Sequence, residues 1–304
     1  MPMMTVHDLD IAYATAGPPD GPVVLLLHGW PDDASTWDRV AGQLTVAGFH
    51  TVVPTLRGSG ETRFRSEATP RTGDTGILAM DAIDLMDGLW IERFAVVGHD
   101  WGSNIAEALA VGWPDRIERI AMLSTSPRLG GMPTPSFQQA QLDWYHWFMA
   151  TPRGAQAVRD DRRGFAHLHW VNWAPAGWFD EATFARVAQA WDNPDWVDVT
   201  LHSYRSRWDV AAPDPRSAWL GAKVSQTKSL SLPVMIVQGE ADGVSPPQGL
   251  ERLPEKYSGP FEFVILPDVG HFPQREAPEV LAAHLLRFLA EARDDILGSR
   301  ASLG

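Results

Sequence analysis

Apolar positions along the chain gather into short, solid runs rich in β-branched residues, with stretches of helical period between them. Val23 to Leu27, Phe49 to Val53, Phe94 to His99, Ile117 to Leu123, Val234 to Gln238 and Phe261 to Leu266 read as strands, most of them covered on both faces. Thr5 to Val6 and Ile11 to Thr15 read as shorter strands before the Gly17 to Pro22 turn cluster. Helical patterns follow at Ser35 to Ala47, Asp74 to Trp90, Ser103 to Val111 and Ala277 to Ala292. Strand and helix alternate, which predicts a doubly wound α/β core with a mostly parallel sheet and right-handed crossovers.

The alternation breaks after Ser126. From Pro127 to about Lys228 no convincing buried strand occurs, and nine of the 14 tryptophans lie between Trp144 and Trp219, so this stretch reads as a helical insertion with an aromatic interior. The chain therefore divides into a core with two parts, 1–127 and 229–304, and an inserted helical cap, 128–228. No internal repeat is present, and Gly298 to Gly304 reads as a disordered tail.

Composition removes several classes of function. A formal charge of -13 disfavours nucleic acid and anionic membranes as partners, since both reward lysine and arginine. With no cysteine there is no disulfide, thiolate metal site or cysteine nucleophile. The first residues carry no basic segment followed by an apolar core, and no run approaches the length of a membrane span, so a cytoplasmic protein is expected.

The chemistry gathers at strand ends. Phe94-Ala-Val-Val-Gly98-His99-Asp100-Trp101-Gly102 is a strand, a sharp turn and the start of a helix, with Asp100 flanked by glycines two residues before and two after. Later strands end in Gly239-Glu240-Ala241-Asp242 and in Asp268-Val269-Gly270-His271. Loops at the carboxyl ends of strands share one face of an open α/β sheet, so Asp100, Asp242, His271 and the His28-Gly29-Trp30-Pro31 loop are expected to meet.

In that order of nucleophile, acid and histidine, and over nearly its whole length, the chain resembles the α/β-hydrolase superfamily. The resemblance implies the α/β-hydrolase fold, with His271 oriented by Asp242 in preference to Glu240, because the superfamily's pattern is Gly-x-x-Asp. An aspartate nucleophile is already ionised at neutral pH and leaves an ester that water can remove. His271 then acts as general base on that water, and the backbone amides of Trp30 and Trp101 form the oxyanion hole. Arg57-Gly58-Ser59-Gly60 resembles a structural turn of the superfamily; a phosphate loop would need a following lysine. His28 and His99 are expected to orient their own loops.

Two families use such an aspartate. Tyr145 in Asp143-Trp-Tyr-His-Trp147 and Tyr204 in His202-Ser-Tyr-Arg205 resemble the tyrosine pair with which epoxide hydrolases protonate the epoxide oxygen. The His28-Gly29-x-Pro31 and Gly98-His99-Asp100-Trp101-Gly102 segments resemble the same family. The resemblance implies a cofactor-independent hydrolysis, without metal, of a hydrophobic or aryl epoxide to a vicinal diol. It needs no substrate carboxylate, and Trp30, Trp101, His146 and Trp147 line its pocket. The alternative is a haloalkane or haloacid dehalogenase. Tyr145-His146-Trp147 with Tyr204 also resembles the halide-binding residues of fluoroacetate dehalogenases, and the Trp30 and Trp101 indoles are available donors. Those enzymes hold the substrate carboxylate with arginines one and four residues after the nucleophile, where this chain has Trp101 and Asn104. A catalytically silent binding protein of the same fold is the third reading, against which the intact trio counts. His167 and His169, two residues apart, read as surface or packing residues with no carboxylate cluster for a metal. Partners are a small epoxide and water, with the chain a monomer or homodimer.

Overall fold

The computed structural model describes residues 1–248, 250 and 253–301, and of 291–301 the backbone alone. Nine strands form one sheet among the described residues: β1 (Met3–Val6), β2 (Leu9–Ala16), β3 (Val23–Leu27), β4 (His50–Pro54), β5 (Arg63–Phe64), β6 (Phe94–His99), β7 (Ile117–Leu123), β8 (Val234–Gly239) and β9 (Phe261–Leu266). Their order is β1-β2-β4-β3-β6-β7-β8-β9, with β5 paired to β2. From β4 to β9 every pairing is parallel, while β1, β2 and β5 add an antiparallel edge.

Helices α1 (Asp38–Val46), α2 (Thr75–Gly88) and α3 (Trp101–Gly112) make the first crossovers. Between β7 and β8 the described chain contains helices only: α4 (Phe137–Leu142), α5 (Trp144–Ala150), α6 (Pro152–Asp160), α7 (Arg162–Asn172), α8 (Glu181–Val187), α9 (Trp196–Ser206) and α10 (Ala218–Gln226). The short α11 (Pro273–Glu276) and the long α12 (Pro278–Ala301) close the chain. Local chemistry starts several of them. Asp74 caps α2 by accepting from the Ile77 N–H, and Thr151 with Pro152 behind it caps α6 through the Gly154 N–H.

The period of two along the strands sorts consecutive residues to opposite faces. Leu25, Leu27, Val96, Ile120 and Ile236 belong to one apolar cluster, with α2, α3 and the helical insertion. Val24, Leu26, Val97, Ala121 and Val237 belong to the other, with α1 and α12. Two expectations are corrected. Residues 298–301 continue α12, where a disordered tail was expected, and 302–304 lie outside the described residues. The helix expected from Ser35 opens with a 3-10 turn, Ala34–Trp37, whose tighter winding precedes α1. Among the described residues no helix is long and apolar enough to cross a membrane.

The Arg57 turn has the structural role expected of it. The Arg57 side chain is 0% exposed and donates to both oxygens of Asp81 on α2, at 2.5 and 2.6 Å, and to Thr72. Asp81→Ala leaves a buried guanidinium without its counter-charge and is expected to destabilise the chain by about 3–5 kcal/mol. Urea unfolding checks it; a loss below about 1 kcal/mol, the value of an exposed pair, would show the pair to be dispensable.

Candidate active site

Asp100 is the single residue between the end of β6 and the start of α3. Its φ of 50° and ψ of -109° place a residue with a Cβ where few tolerate it. Neighbouring glycines make the turn sterically feasible. A Cβ on Gly98 would stand 2.1 Å from the Gly102 carbonyl oxygen, one on Gly102 would stand 2.1 Å from that of Leu27, and one on Gly29 would stand 2.5 Å from Asp100 Cβ. Asp100 ends above the carboxyl edge of the central strands with 14% of its side chain exposed.

The loops expected at this face do meet there. The Trp30 N–H donates to Asp100 Oδ1 at 2.8 Å, immediately before a cis peptide to Pro31. His271 Nδ1 donates to Asp242 Oδ2 at 2.9 Å, and its Nε2 lies 4.0 Å from Asp100 Oδ2 with no hydrogen-bond partner. The bond to Asp242 puts the proton on Nδ1 and leaves the Nε2 lone pair facing Asp100. Glu240 is exposed and outside this network. Both Asp242 oxygens are engaged: Oδ1 accepts from the Val244 and Ser245 N–H groups, and Oδ2 also accepts from Gln238 Nε2. Burial pulls the His271 pKa down, but the charge and hydrogen bond of Asp242, with the charge of Asp100, outweigh it and hold the value above 6.5.

Histidines 28 and 99 do hold loops. His28 Nε2 accepts from the Leu56 N–H while Nδ1 donates to the Gly29 carbonyl. His99 Nε2 donates to the His271 carbonyl at 2.7 Å; burial, then the neighbouring His271, pushes its pKa down to about 4, so it stays neutral.

The helical insertion brings an aromatic wall to the same place. Tyr145 and Tyr204 are buried with ring centroids 5.2 Å apart, and Trp30 packs on both, stacked with Tyr145 at 5.8 Å and edge-on to Tyr204 at 5.2 Å. The Trp101 indole N–H donates to the Tyr204 hydroxyl at 3.3 Å, so this indole is already engaged. Burial raises both tyrosine pKa values above 10.0, Tyr204 and Asp100 adding their charges at Tyr145 and Asp100 adding its own at Tyr204. His146 lies against Tyr204 at 4.7 Å; its Nδ1 accepts from the Trp208 indole, so the proton sits on Nε2, which is buried without a partner.

Trp147 is a correction. It was expected to line the pocket, but it is 37% exposed, with its indole N–H on the Ala140 carbonyl and its ring against Trp208. Helix geometry explains this: successive residues turn by about 100°, so when Tyr145 and His146 face inward Trp147 cannot. His167 is half-buried beside Glu181, whereas His169 is buried among Trp30, Tyr145 and Trp173. Sequence reasoning missed Gln238, Trp173 and Trp208. Only the Trp173 and Trp208 tryptophan bias of the insertion signalled them, and Gln238 sits in an unremarkable strand position.

The model of the alpha/beta hydrolase fold family matches residues 22–278. Epoxide hydrolase A of Mycobacterium tuberculosis is 29% identical, over 94% of this chain and 96% of that one. A fluoroacetate dehalogenase of a Burkholderia species is 27% identical, over 97% of this chain and 95% of its own. A solved structure of a candidate epoxide hydrolase from Klebsiella pneumoniae superposes with a TM-score of 0.89 at 34% identity, over 94% of this chain and 96% of that one. With the matched model spanning most of the chain and the turn, acid and histidine in the superfamily's order, this chain belongs to the alpha/beta hydrolase fold family.

Proposed function

We propose that the chain is an epoxide hydrolase, with 128–228 acting as a cap over the core formed by 1–127 and 229–304. Asp100 Oδ2 attacks a ring carbon, the ring C–O bond breaks, and the departing alkoxide takes a proton from Tyr204 or Tyr145. His271 Nε2 then removes a proton from a water whose oxygen adds to the ester carbonyl. Negative charge on Oδ1 is met by the Trp30 N–H, with the Trp101 N–H as second donor. Collapse releases the diol with the original Oδ2, protonated by His271. The second water proton, left on the regenerated acid, returns to the tyrosinate. Supporting this reading above all is the pair of buried tyrosines packed over the Trp30 loop, whose raised pKa values keep both hydroxyls protonated. The relatives named as epoxide hydrolases support the same chemistry.

A dehalogenase is the second reading, and one observation favours it: the partnerless Nε2–H of His146 beside both tyrosines is a ready halide donor. No role for Trp147 is retained.

Enzyme in excess, turned over once on styrene oxide in oxygen-18 water, is expected to carry label in Asp100 and none in the diol. Label appearing directly in the diol would show that water attacks the epoxide and that no ester forms. His271→Gln is expected to slow ester hydrolysis by roughly a hundred- to ten-thousand-fold and to accumulate alkylated protein, visible by mass. Tyr145→Phe combined with Tyr204→Phe is expected to abolish epoxide opening; undiminished opening, or turnover of a bromoalkane alone by the parent protein, would favour the dehalogenase.

The base must be neutral to work, so hydrolysis of the ester should be fast at high pH and lost as pH falls through the His271 pKa. Esterification removes the Asp100 charge, one of the causes raising that pKa. The acid limb of single-turnover ester decay is therefore expected below the His271 titration seen by NMR in the resting enzyme. No alkaline limb from the tyrosines is expected up to pH 10.0.

A further inference from the structure

A cavity of about 510 Å³ opens beside the site, bounded by α3, α10, the 128–134 loop and the end of α9. Its lining holds four charged side chains: Asp74, Arg128, Arg207 and Asp209. Asp74 is buried, and its oxygens are occupied by the Ile77 and Asp214 N–H groups and the Ser217 hydroxyl. Asp209 is exposed to solvent. The two arginines differ from both. Arg128 donates through Nε to Asn104 Oδ1 at 2.7 Å, and its terminal nitrogens meet no carboxylate among the described residues. Arg207 has no ion pair among the described residues, and its guanidinium lies 4.6 Å from the Tyr204 ring centroid and 5.8 Å from that of Trp101. Two guanidinium groups therefore face one cavity with donors to spare.

Asn104 links this cavity to the nucleophile. Its Nδ2 lies 3.4 Å from the Asp100 carbonyl oxygen and its Oδ1 receives Arg128, so one side chain spans the distance between the reacting turn and the first arginine. Arg207 reaches the same place from the other side, over the two rings that pack against the site. Neither arginine stands one or four residues after Asp100, so this is a different placement from the carboxylate clamp of the fluoroacetate dehalogenases.

We propose that Arg128 and Arg207 form an anion subsite that holds the carboxylate of an amphipathic epoxide, with the epoxide end at Asp100 and the anionic end in this cavity. The identity of the reacting group rests on the epoxide-hydrolase reading; the anion subsite does not. Burial, then the charge of Arg207, brings the Arg128 pKa down to about 10, which leaves it charged at neutral pH beside a second cation. The other charges acting on Arg128 are those of Glu107, Asp143 and Asp100. A carboxylate bridging the pair relieves the repulsion and supplies the acceptors that paired guanidinium groups bind best. To the hydrophobic or aryl epoxide expected from the sequence, which needs no carboxylate, this subsite adds an anionic end on an apolar body.

The test compares kcat/KM for epoxyhexanoate and epoxyundecanoate, each against its neutral amide. The expected result is a preference for the acid of tenfold or more at one chain length, reduced towards unity by Arg207→Gln and by Arg128→Gln. Because the readout is a ratio within one protein, general damage to folding or catalysis cancels. Equal turnover of acid and amide at both lengths would overturn the subsite while leaving the hydrolase reading intact. If no epoxide is turned over, the hydrolase reading fails, and tryptophan-fluorescence titration with the corresponding diol acid and diol amide decides the subsite. Tighter binding of the acid, weakened by Arg207→Gln, supports it; indistinguishable binding of the two overturns it.

Discussion

Everything chemical in this molecule depends on a steric constraint at one turn. Asp100 occupies a backbone region that costs of order 1–3 kcal/mol for a residue with a side chain. That conformation persists because its surroundings leave no alternative path: the Gly98 hydrogen meets the Gly102 carbonyl, and the Gly102 hydrogen meets that of Leu27. The five-residue turn is thus wedged between two strands of a sheet whose central members are buried on both faces. Rigid strands below and helix α3 beyond convert that strain into position, holding the carboxylate above the sheet edge. The amino end of α3 beneath it favours negative charge at that position.

The same economy of contacts ties the helical insertion to the loops of the candidate site. The Trp173 carbonyl accepts from the Gly243 N–H at 3.1 Å and from the His271 N–H at 3.0 Å, so one backbone group steadies both the acid loop and the histidine loop. The Trp170 indole donates to the Pro31 carbonyl, and Asn193 Nδ2 donates to carbonyls of the Ser59 to Thr62 turn. Insertion and core therefore share hydrogen bonds at the loops of the candidate site. A shift of the insertion would be felt at Trp30 and His271 before it reached the sheet.

What could be read from the chain follows from what is local. β3, β7 and β9 begin and end where the sequence places them; β3 is apolar throughout and buried from Val24 to Leu27, as a central parallel strand requires, whereas β7 carries Glu118 and Arg119 and the edge strand β9 carries Glu262. The turn, the acid and the histidine were legible because strand-end position and glycine spacing are sequence properties. β5, two residues long, carries no pattern and exists only because β2 offers it an edge. Trp147 was misplaced because motif matching ignores helical phase, and its neighbours Tyr145 and His146 already fill the inward arc. Gln238 on Asp242, Trp208 on His146 and Arg128 on Asn104 join residues 4, 62 and 24 positions apart through single bonds. Nothing in a single sequence marks such pairs, since each is set by the packing of whole elements.

Tyr204 shows how these distant contacts decide a proton's direction. Its hydroxyl has one proton to give and two lone pairs. The Trp101 N–H occupies a lone pair, so the hydroxyl proton is directed elsewhere, and the Arg207 cation over the ring lowers the cost of the tyrosinate that donation leaves behind. Burial and the Asp100 charge work in the opposite sense and dominate at rest, which is why the group stays protonated there. An epoxide oxygen becomes strongly basic only as its ring opens. On the epoxide-hydrolase reading, a tyrosine held as a poor acid in the resting site, yet flanked by a donor and a cation that stabilise its anion, would give up its proton in step with the bond that Asp100 would break. The residues that make this timing possible come from α3 and from the end of α9, which meet only when the insertion is seated on the core.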